Sequence, residues 1–289
     1  AEAPERISHF RPTTKSVALI HSIFGDEMDR AFFIIAPYGS GKSLTATYLL
    51  HLIENRPDSR ETLKLIEARL ESVSPELADA AKRRRRKKAQ GLVMAIHGYQ
   101  PDLPKAVKAS ALEAMRRLKL GRETRPIEAL PCGTIEEAVE LIQAVKGKCQ
   151  SRGLDRISIL WDESGRHLES LLAEGRAAQL SDIQLLGEFV SRSTDFPITL
   201  ALTLHQNVVH YAGQMPQSVR AEWAKISSRF QTVQYVDDSK EIYRLISEVV
   251  AANRCQVTQP RQKDLQDAAT RCRKSLGLFS DFSQTELVE

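Results

Sequence analysis

The sequence predicts an α/β fold in which helices cover both faces of a five-stranded parallel sheet. Three observations support this prediction. Short apolar runs bounded by turn residues alternate with segments whose apolar residues recur at three- and four-residue spacing. A glycine-rich loop joins the first apolar run to the first helical segment, and a later apolar run ends in two adjacent carboxylates.

Five segments are predicted as strands. Four are continuous apolar runs, as expected for strands buried on both faces, whereas the fifth alternates and is placed nearer an edge. In chain order they are 31–36, 91–96, 156–161, 197–203 and 231–236. The clearest helical segments are 44–53, 103–118, 135–145 and 183–190.

Two segments interrupt this alternation. Residues 57–90 form a polar, helix-prone insertion that ends in a run of basic residues. From 239 onward the chain carries helical patterns and no strand signal. We therefore expect a core of residues 1–238 and a small helical subdomain of residues 239–289. The start at Ala1 suggests a piece excised from a longer protein.

Composition excludes several classes of protein. With 42% hydrophobic and 27% charged residues, the chain is neither disordered nor fibrous. No apolar stretch reaches 18 residues, and the first thirty residues lack the layout of a secretory signal. Widely spaced cysteines argue against a zinc knuckle or a disulfide scaffold, and favour reduced thiols in a cytoplasmic protein. They are Cys132, Cys149, Cys255 and Cys272.

The loop after the first strand fits a phosphate-binding pattern, Gly-x-x-x-x-Gly-Lys-Ser/Thr, at all but one position. Ala36 stands at the first glycine, and an extra glycine, Gly39, lies inside the loop. Backbone N–H groups and the positive end of the next helix bind phosphate in such a loop. We expect Lys42 to reach the β- and γ-phosphates and Ser43 to ligate Mg²⁺. The predicted nucleotide-binding residues are Ala36, Pro37, Tyr38, Gly39, Ser40, Gly41, Lys42, Ser43 and Leu44.

The apolar run at 156–161 ends in the carboxylates Asp162 and Glu163. Asp162 is expected to hold Mg²⁺ opposite Ser43, and Glu163 to polarise the attacking water as a general base. Adjacent acids also begin helices, because they favour the first helical turn. The phosphate loop favours the metal and base roles over simple capping.

With both motifs present, the chain resembles the P-loop ATPases that carry a catalytic glutamate beside the second acidic motif, a group that includes the AAA+ ATPases. The resemblance spans roughly residues 10–255. It implies the strand order 5-1-4-3-2, because an additional strand, 91–96, lies between the two motifs. It also implies ATP and Mg²⁺ as cofactors and a helical lid after the core. Four lid arginines are open candidates for a second sensor: Arg254, Arg261, Arg271 and Arg273.

The same resemblance implies a polar sensor residue after the fourth strand. His205 and Gln206 are the candidates, with Thr203 behind them, since either could orient the attacking water or the γ-phosphate. A structural histidine is the alternative for His205.

An arginine finger supplied to a neighbouring subunit is implied as well. Residues 227–230, Ser-Ser-Arg-Phe, are similar to a segment of origin-initiator AAA+ ATPases. Arg229 is therefore the candidate finger in a homo-oligomer, with Arg220 as the second candidate and an ordinary surface arginine as the alternative.

Three short segments further resemble large multidomain bacterial ATPases from anti-phage defence loci. They are 161–169, 204–206 and 220–230. This narrower resemblance implies DNA or other defence-system proteins as partners.

Seven consecutive basic residues precede the second strand. Their number exceeds the net charge of +4, so the basicity of the chain is local. Such a run can bind phosphate backbones electrostatically, although no aromatic residues for base stacking surround it. A solvated helix end is the alternative. The candidate nucleic-acid contacts are Lys82, Arg83, Arg84, Arg85, Arg86, Lys87 and Lys88.

The sequence thus predicts Mg²⁺-dependent ATP hydrolysis coupled to conformational change in an oligomer, with DNA as a candidate partner. The predicted catalytic residues are Lys42, Glu163, His205, Gln206 and Arg229. The alternative is a nucleotide-gated switch or scaffold that binds ATP with little turnover and recruits partner proteins. Glu163 favours hydrolysis, since a binding module needs no positioned base. A small-molecule kinase shares the phosphate loop, and the acidic motif disfavours it.

Overall fold

The computed structural model describes residues 3–25, 29–207, 210, 211, 213 and 217–236, together with five single positions beyond 236. Contacts divide the chain into two units, Ala1–Val236 and Asp237–Glu289. Every element given below belongs to the first unit. The predicted lid from residue 239 onward, with its candidate arginines, lies outside the described residues except for single positions such as Arg271, and it stays a prediction.

Five parallel strands form one sheet. They are β1 (Ala31–Ile35), β2 (Leu92–His97), β3 (Ile157–Asp162), β4 (Ile198–Leu204) and β5 (Gln231–Gln234). The order across the sheet is β2-β3-β4-β1-β5. This confirms the predicted order 5-1-4-3-2, read from the opposite side, and β5 is an edge strand as expected.

Ten α-helices are described around this sheet. They are α1 (Thr14–Phe24), α2 (Lys42–Glu54), α3 (Arg60–Leu70), α4 (Pro75–Lys87), α5 (Leu103–Arg117), α6 (Gly121–Glu128), α7 (Ile135–Ser151), α8 (Ser164–Ala173), α9 (Leu180–Ser191) and α10 (Gln217–Ser227). Short 3₁₀ turns lie at Pro4–Ile7, Pro57–Ser59 and Ala177–Gln179. No helix in the described part of the chain is both long and apolar enough to cross a bilayer.

The sheet has an apolar core on each face. Side chains of neighbouring positions in β1 point to opposite faces, so Phe33 belongs to one core and Phe32 to the other. The first core is completed by α5, α7, α8 and α9, and the second by α1 to α4. Because all five residues of β1 are buried, the phosphate loop that follows it starts from a strand held on both sides.

Two of the four cysteines, Cys132 and Cys149, are described, and both are free and buried. Burial raises the pKa of the Cys149 thiol to about 12, which keeps it protonated and unreactive. The other two, Cys255 and Cys272, lie outside the described residues.

Candidate nucleotide site

The phosphate loop follows β1 directly at the carboxyl edge of the sheet. Ala36 is fully buried, and its N–H donates to the Leu204 carbonyl at 2.8 Å. Gly39 and Gly41 have φ angles of 75° and 86°, in the left-handed region that favours glycine. Ala36 is not among the residues with positive φ. The loop therefore needs glycine at 39 and 41, and alanine at 36 introduces no strain.

Helix α2 begins at Lys42, with Gly41 as its N-cap, so Lys42, Ser43 and Leu44 occupy its first turn. The free N–H groups of this turn and the helix dipole favour an anion here. Lys42 is only 6% exposed, and its Nζ lies 5.2 Å from the centroid of the Tyr38 ring. The Lys42 ammonium and the positive end of α2 thus both lie at the phosphate loop.

Another lysine supports the loop from outside it. Lys15 on α1 donates from Nζ to the Ser40 carbonyl at 2.9 Å and lies over the Tyr235 ring, 4.8 Å from its centroid. Tyr235 in turn bonds to Thr45 on α2, with 2.7 Å between the two hydroxyl oxygens. Lys15 was not predicted from the sequence, because no pattern links it to a loop 25 residues later.

Ser43 and Asp162 are in direct contact although 119 residues separate them. The Ser43 hydroxyl donates to Asp162 Oδ2 at 2.6 Å, and the Thr203 hydroxyl donates to Oδ1 at 2.7 Å. Parallel strands bring these groups together, because β4 lies between β1 and β3 and all three end at the same edge. The hydroxyl and carboxylate oxygens are ligands of the kind that Mg²⁺ prefers. The donor set of Ser43 and Asp162 therefore fits this ion.

Glu163 lies between β3 and α8 in an unusual conformation. Its φ of 55° puts a non-glycine residue in the left-handed region, at a cost of about 1–2 kcal/mol. The Glu163 N–H donates to Thr203 Oγ1 at 2.8 Å and to Asp162 Oδ1 at 3.0 Å, and these bonds hold the turn. The side chain is 21% exposed. The turn thus places Glu163, with its partly exposed carboxylate, directly after Asp162 at the carboxyl edge.

Two cationic or titratable side chains flank the Glu163 carboxylate. Its Oε2 lies 3.2 Å from Arg166 Nε and 3.8 Å from His97 Nε2. His97 ends β2 directly opposite Asp162 in the strand register. Neither Arg166 nor His97 was predicted from the sequence. The spacing of three between Glu163 and Arg166 on a helix was the one signal available.

The sensor candidates follow β4. His205 bonds to Glu169 and Tyr211 and stacks on Tyr38, with ring centroids 4.9 Å apart. Gln206 Oε1 is buried and has no hydrogen-bond partner among the described residues. Thr203, expected behind the sensor, instead contacts Asp162 directly. Glu169 and Tyr211 were not predicted from the sequence.

Arg229 lies at the amino edge of the sheet, where the strands begin, whereas the phosphate loop lies at the carboxyl edge, where they end. It precedes β5, and Gln231 pairs with Phe32 near the start of β1. At roughly 3.3 Å per strand residue, Phe32 lies about 13 Å from Ala36, and Arg229 lies in the turn before β5. Its Nη2 lies 3.0 Å from Glu188 Oε1, and 44% of the side chain is exposed. Arg229 therefore cannot reach the phosphate loop of its own chain. Arg220, the second candidate, is exposed on α10.

The basic run forms the end of α4, and part of it faces inward. Arg84 is 6% exposed and pairs with Asp155, while Arg85 forms an ion pair with Glu67 at 2.7 Å. Lys82 pairs with Glu71 at 2.9 Å. The residues of the run that stay exposed are Arg83, Arg86, Lys87 and Lys88. Arg84 is thus unavailable to an outside phosphate.

Comparison with known proteins adds little to this geometry. No family model and no curated protein matches the chain. Two solved structures of the ORC2 protein of Aeropyrum pernix, an ADP form and ADPNP–ADP complexes, are similar at 16% and 15% identity. Both comparisons cover 98% of this chain and 70% of that chain, with TM-scores of 0.42 and 0.46. The assignment of the fold rests on the sheet order and not on this likeness.

Proposed function

We propose that this chain is an AAA+-like, Mg²⁺-dependent ATPase. The observation that carries the proposal is the 2.6 Å contact between Ser43 and Asp162, beside a helix start that holds a buried lysine. Ser43 and Asp162 would hold Mg²⁺, which neutralises phosphate charge when bound. Lys42 and the N–H groups of the loop would bind the phosphates.

Glu163 decides between hydrolysis and nucleotide-gated binding. A general base must lie within hydrogen-bond reach of the water it activates, and Glu163 is next to Asp162 with part of its carboxylate exposed. Arg166 and His97 both approach Oε2 of that carboxylate, so Oε1 is the oxygen that would accept a proton from water. These contacts support hydrolysis as the leading function and a slow, gated ATPase as the second.

Steady-state phosphate release with and without Mg²⁺ tests the proposal. We expect wild-type turnover that requires Mg²⁺ and a fall of about 10²–10⁴-fold in Glu163→Gln, because a positioned base contributes about that much. Glu61→Gln, on an exposed part of α3, is the matched control and should leave the rate unchanged. Equal turnover in wild type and Glu163→Gln would make the base assignment wrong. ATP binding without turnover in wild type would favour the switch or scaffold.

Arg229 is proposed as an arginine finger that acts on a neighbouring subunit. Its position beside the start of β1, about 13 Å of strand away from its own loop, supports action between chains. In this chain it pairs with Glu188. A mixing experiment tests this directly. Glu163→Gln and Arg229→Ala should each be slow alone and should regain turnover when mixed, because one interface then holds both intact residues. Additive, unrestored rates would contradict the finger.

Nucleic acid is the proposed partner of the amino edge of the sheet. Besides the exposed part of the basic run, a cavity of about 690 Å³ at the ends of α5 and α7 is lined mostly by cations. They are Lys119, Arg122, Arg125 and Arg152, with Glu123 as the acidic residue among them. Phosphate backbones bind such surfaces through counterion release.

A role in phage defence completes the proposal and rests on three short segments alone. Phage plating on cells that carry the protein, against cells that carry a Lys42→Ala variant, tests it. Protection that survives Lys42→Ala would separate the defence role from nucleotide binding.

A further inference from the structure

The ring of His205 is held on three sides. Its Nε2 lies 3.0 Å from Glu169 Oε1, its Nδ1 lies 3.3 Å from the Tyr211 hydroxyl oxygen, and its face stacks on Tyr38. Only 11% of the side chain is exposed. When Nε2–H donates to Glu169, Nδ1 accepts from the Tyr211 hydroxyl. Both nitrogens are then engaged, and neither is left to contact a phosphate.

Helix α8 has a glycine, Gly165, at the point where the His205 ring packs against it. A Cβ at Gly165 would lie 2.4 Å from the Tyr211 hydroxyl oxygen and 2.8 Å from His205 Nδ1. Both distances are far shorter than the roughly 3.5 Å of ordinary nonbonded contact. Gly165 is therefore required by the position of the two rings and not by backbone strain, since it lies inside the helix without a positive φ.

Tyr38 connects the His205 ring to the phosphate loop. Its side chain is 59% exposed although it stacks on His205, and the Lys42 ammonium lies 5.2 Å from its ring centroid. An ammonium within about 6 Å of an aromatic ring is attracted to the negative charge of the ring face. The contacts thus form a chain that runs from Glu169 through His205 and Tyr38 to Lys42.

We propose that Glu169, His205 and Tyr211 are positioning residues that act on the phosphates through Tyr38 and the Lys42 ammonium. This inference rests on the proposed nucleotide site, and it differs from a direct γ-phosphate sensor. The fixed Tyr38 ring restricts the places that the Lys42 ammonium occupies. Because Lys42 contacts the phosphates before and during the reaction alike, the chain of contacts sets nucleotide affinity and leaves the chemical step unchanged.

The test compares ATP affinity by calorimetry with KM and kcat for phosphate release. Tyr38→Ala and His205→Ala should each raise Kd and KM about threefold to tenfold, with kcat within about twofold of wild type. Tyr38→Phe keeps the ring, so it should rescue the affinity that Tyr38→Ala loses. Glu61→Gln, exposed on α3 and outside the site, is the control that should bind ATP as wild type does. Gly165→Ala should weaken binding in the same direction, and circular dichroism would confirm that each variant is folded.

The possible outcomes separate this inference from the proposed function. If His205→Ala lowers kcat with KM unchanged while Tyr38→Ala has no effect, His205 is a direct sensor and the inference is overturned. If folded variants all bind like wild type, the rings only pack the fold and the inference is again overturned. A wild-type chain that binds ATP without turnover contradicts hydrolysis alone, since the Kd comparison still applies. A wild-type chain that binds no ATP contradicts both.

Discussion

The two edges of the sheet use arginine and carboxylate side chains in opposite ways. At the amino edge, Arg84 is buried against Asp155 and donates to the Leu52 and Ile53 carbonyls, at 3.1 and 2.7 Å. At the carboxyl edge, Arg166 is 56% exposed and meets a Glu163 carboxylate that water can reach. Arg84 is thus satisfied within the fold, whereas the Glu163 carboxylate and its arginine partner stay accessible.

This difference follows from what each edge must hold. The amino edge contains the carboxyl end of α2, whose last carbonyls have no partner within the helix, and Arg84 supplies donors for two of them. The buried Glu54 carboxylate nearby is held by Arg117, with 2.8 Å between Oε1 and Nη2. On the proposed function, the carboxyl edge instead accepts a highly charged ligand, and its N–H groups and cation are then not fully paired in advance. The inward-facing charges of the amino edge, Arg84 and Glu54, therefore stabilise the fold, and those at the carboxyl edge are proposed to serve binding.

The largest effect on folding is expected at Arg84. Arg84→Ala removes the donors to the Leu52 and Ile53 carbonyls and the bidentate partner of Asp155. Among the described residues, Asp155 then keeps only Arg156, at 3.7 Å, and the Ile53 carbonyl keeps the Gly91 N–H, so the free energy of unfolding should fall by about 2–3 kcal/mol. Arg86→Ala, two residues later in the same basic run but exposed, should change it by less than about 0.5 kcal/mol. Urea unfolding followed by circular dichroism measures both. If both variants change the free energy of unfolding equally, buried and exposed residues of the run contribute equally to stability, and the comparison is wrong.

At the carboxyl edge, the matching experiment is Lys42→Ala. The variant loses a cation that bonds to charged phosphates, so ATP affinity should fall about 10–100-fold while the free energy of unfolding stays within about 1 kcal/mol of wild type. Calorimetric titration with ATP and urea unfolding give the two numbers. A strongly destabilised Lys42→Ala chain would show that this edge also serves the fold.

Each edge also contains one buried histidine, and the two predict the same response to pH. Burial, followed by the charge of Arg56, lowers the pKa of His51 to about 4. Burial, followed by the charge of Arg176, lowers the pKa of His167 to about 4. Because the unfolded chain takes up these protons near pH 6.5 and the folded chain does not, stability is lost as pH falls from 6.5 towards 4. We expect each histidine to cost about 2 kcal/mol between pH 7 and pH 5.

Urea unfolding at pH 7 and pH 5 measures this loss, with His51→Gln and His167→Gln as separate variants. Each substitution should remove its own share of the pH dependence. If only His167→Gln reduces the pH dependence of stability, His51 can be protonated in the folded chain without loss of stability. The ion pairs of the amino edge would then be less complete than their contacts indicate.

The smallest effect is expected for nucleic-acid contact by the exposed end of the basic run. Neutralising Arg86, Lys87 and Lys88 to glutamine should reduce the slope of log affinity against log salt by up to about 2–3 on duplex DNA, since each lost phosphate contact contributes roughly 0.9. Lys105→Gln, at the carboxyl edge, is the control and should leave the slope unchanged. Anisotropy titrations at several salt concentrations measure it. An unaltered slope in the triple variant would leave the amino edge with a purely structural use of charge.

Local patterns predict the sheet and the centre of the site, whereas contacts between distant side chains escape them. Apolar runs locate all five strands, and the rule that parallel strands end at one edge brings Ser43 and Asp162 together. No local pattern shows that Arg84 turns towards Asp155, 71 residues away. Helix α6 was also missed, because Gly121 and Pro126 both weaken its helical signal. The sequence shows which charged side chains are present, but it does not show which partner each of them contacts.

The alanine at position 36 has a consequence for how such loops are defined. A motif written in letters demands glycine at its first position, and this chain departs from it. A motif written in backbone angles would demand positive φ at positions 39 and 41 and ask nothing special of position 36. By that second definition the loop of this chain fits the motif, because alanine at position 36 changes the residue letter and not the backbone conformation.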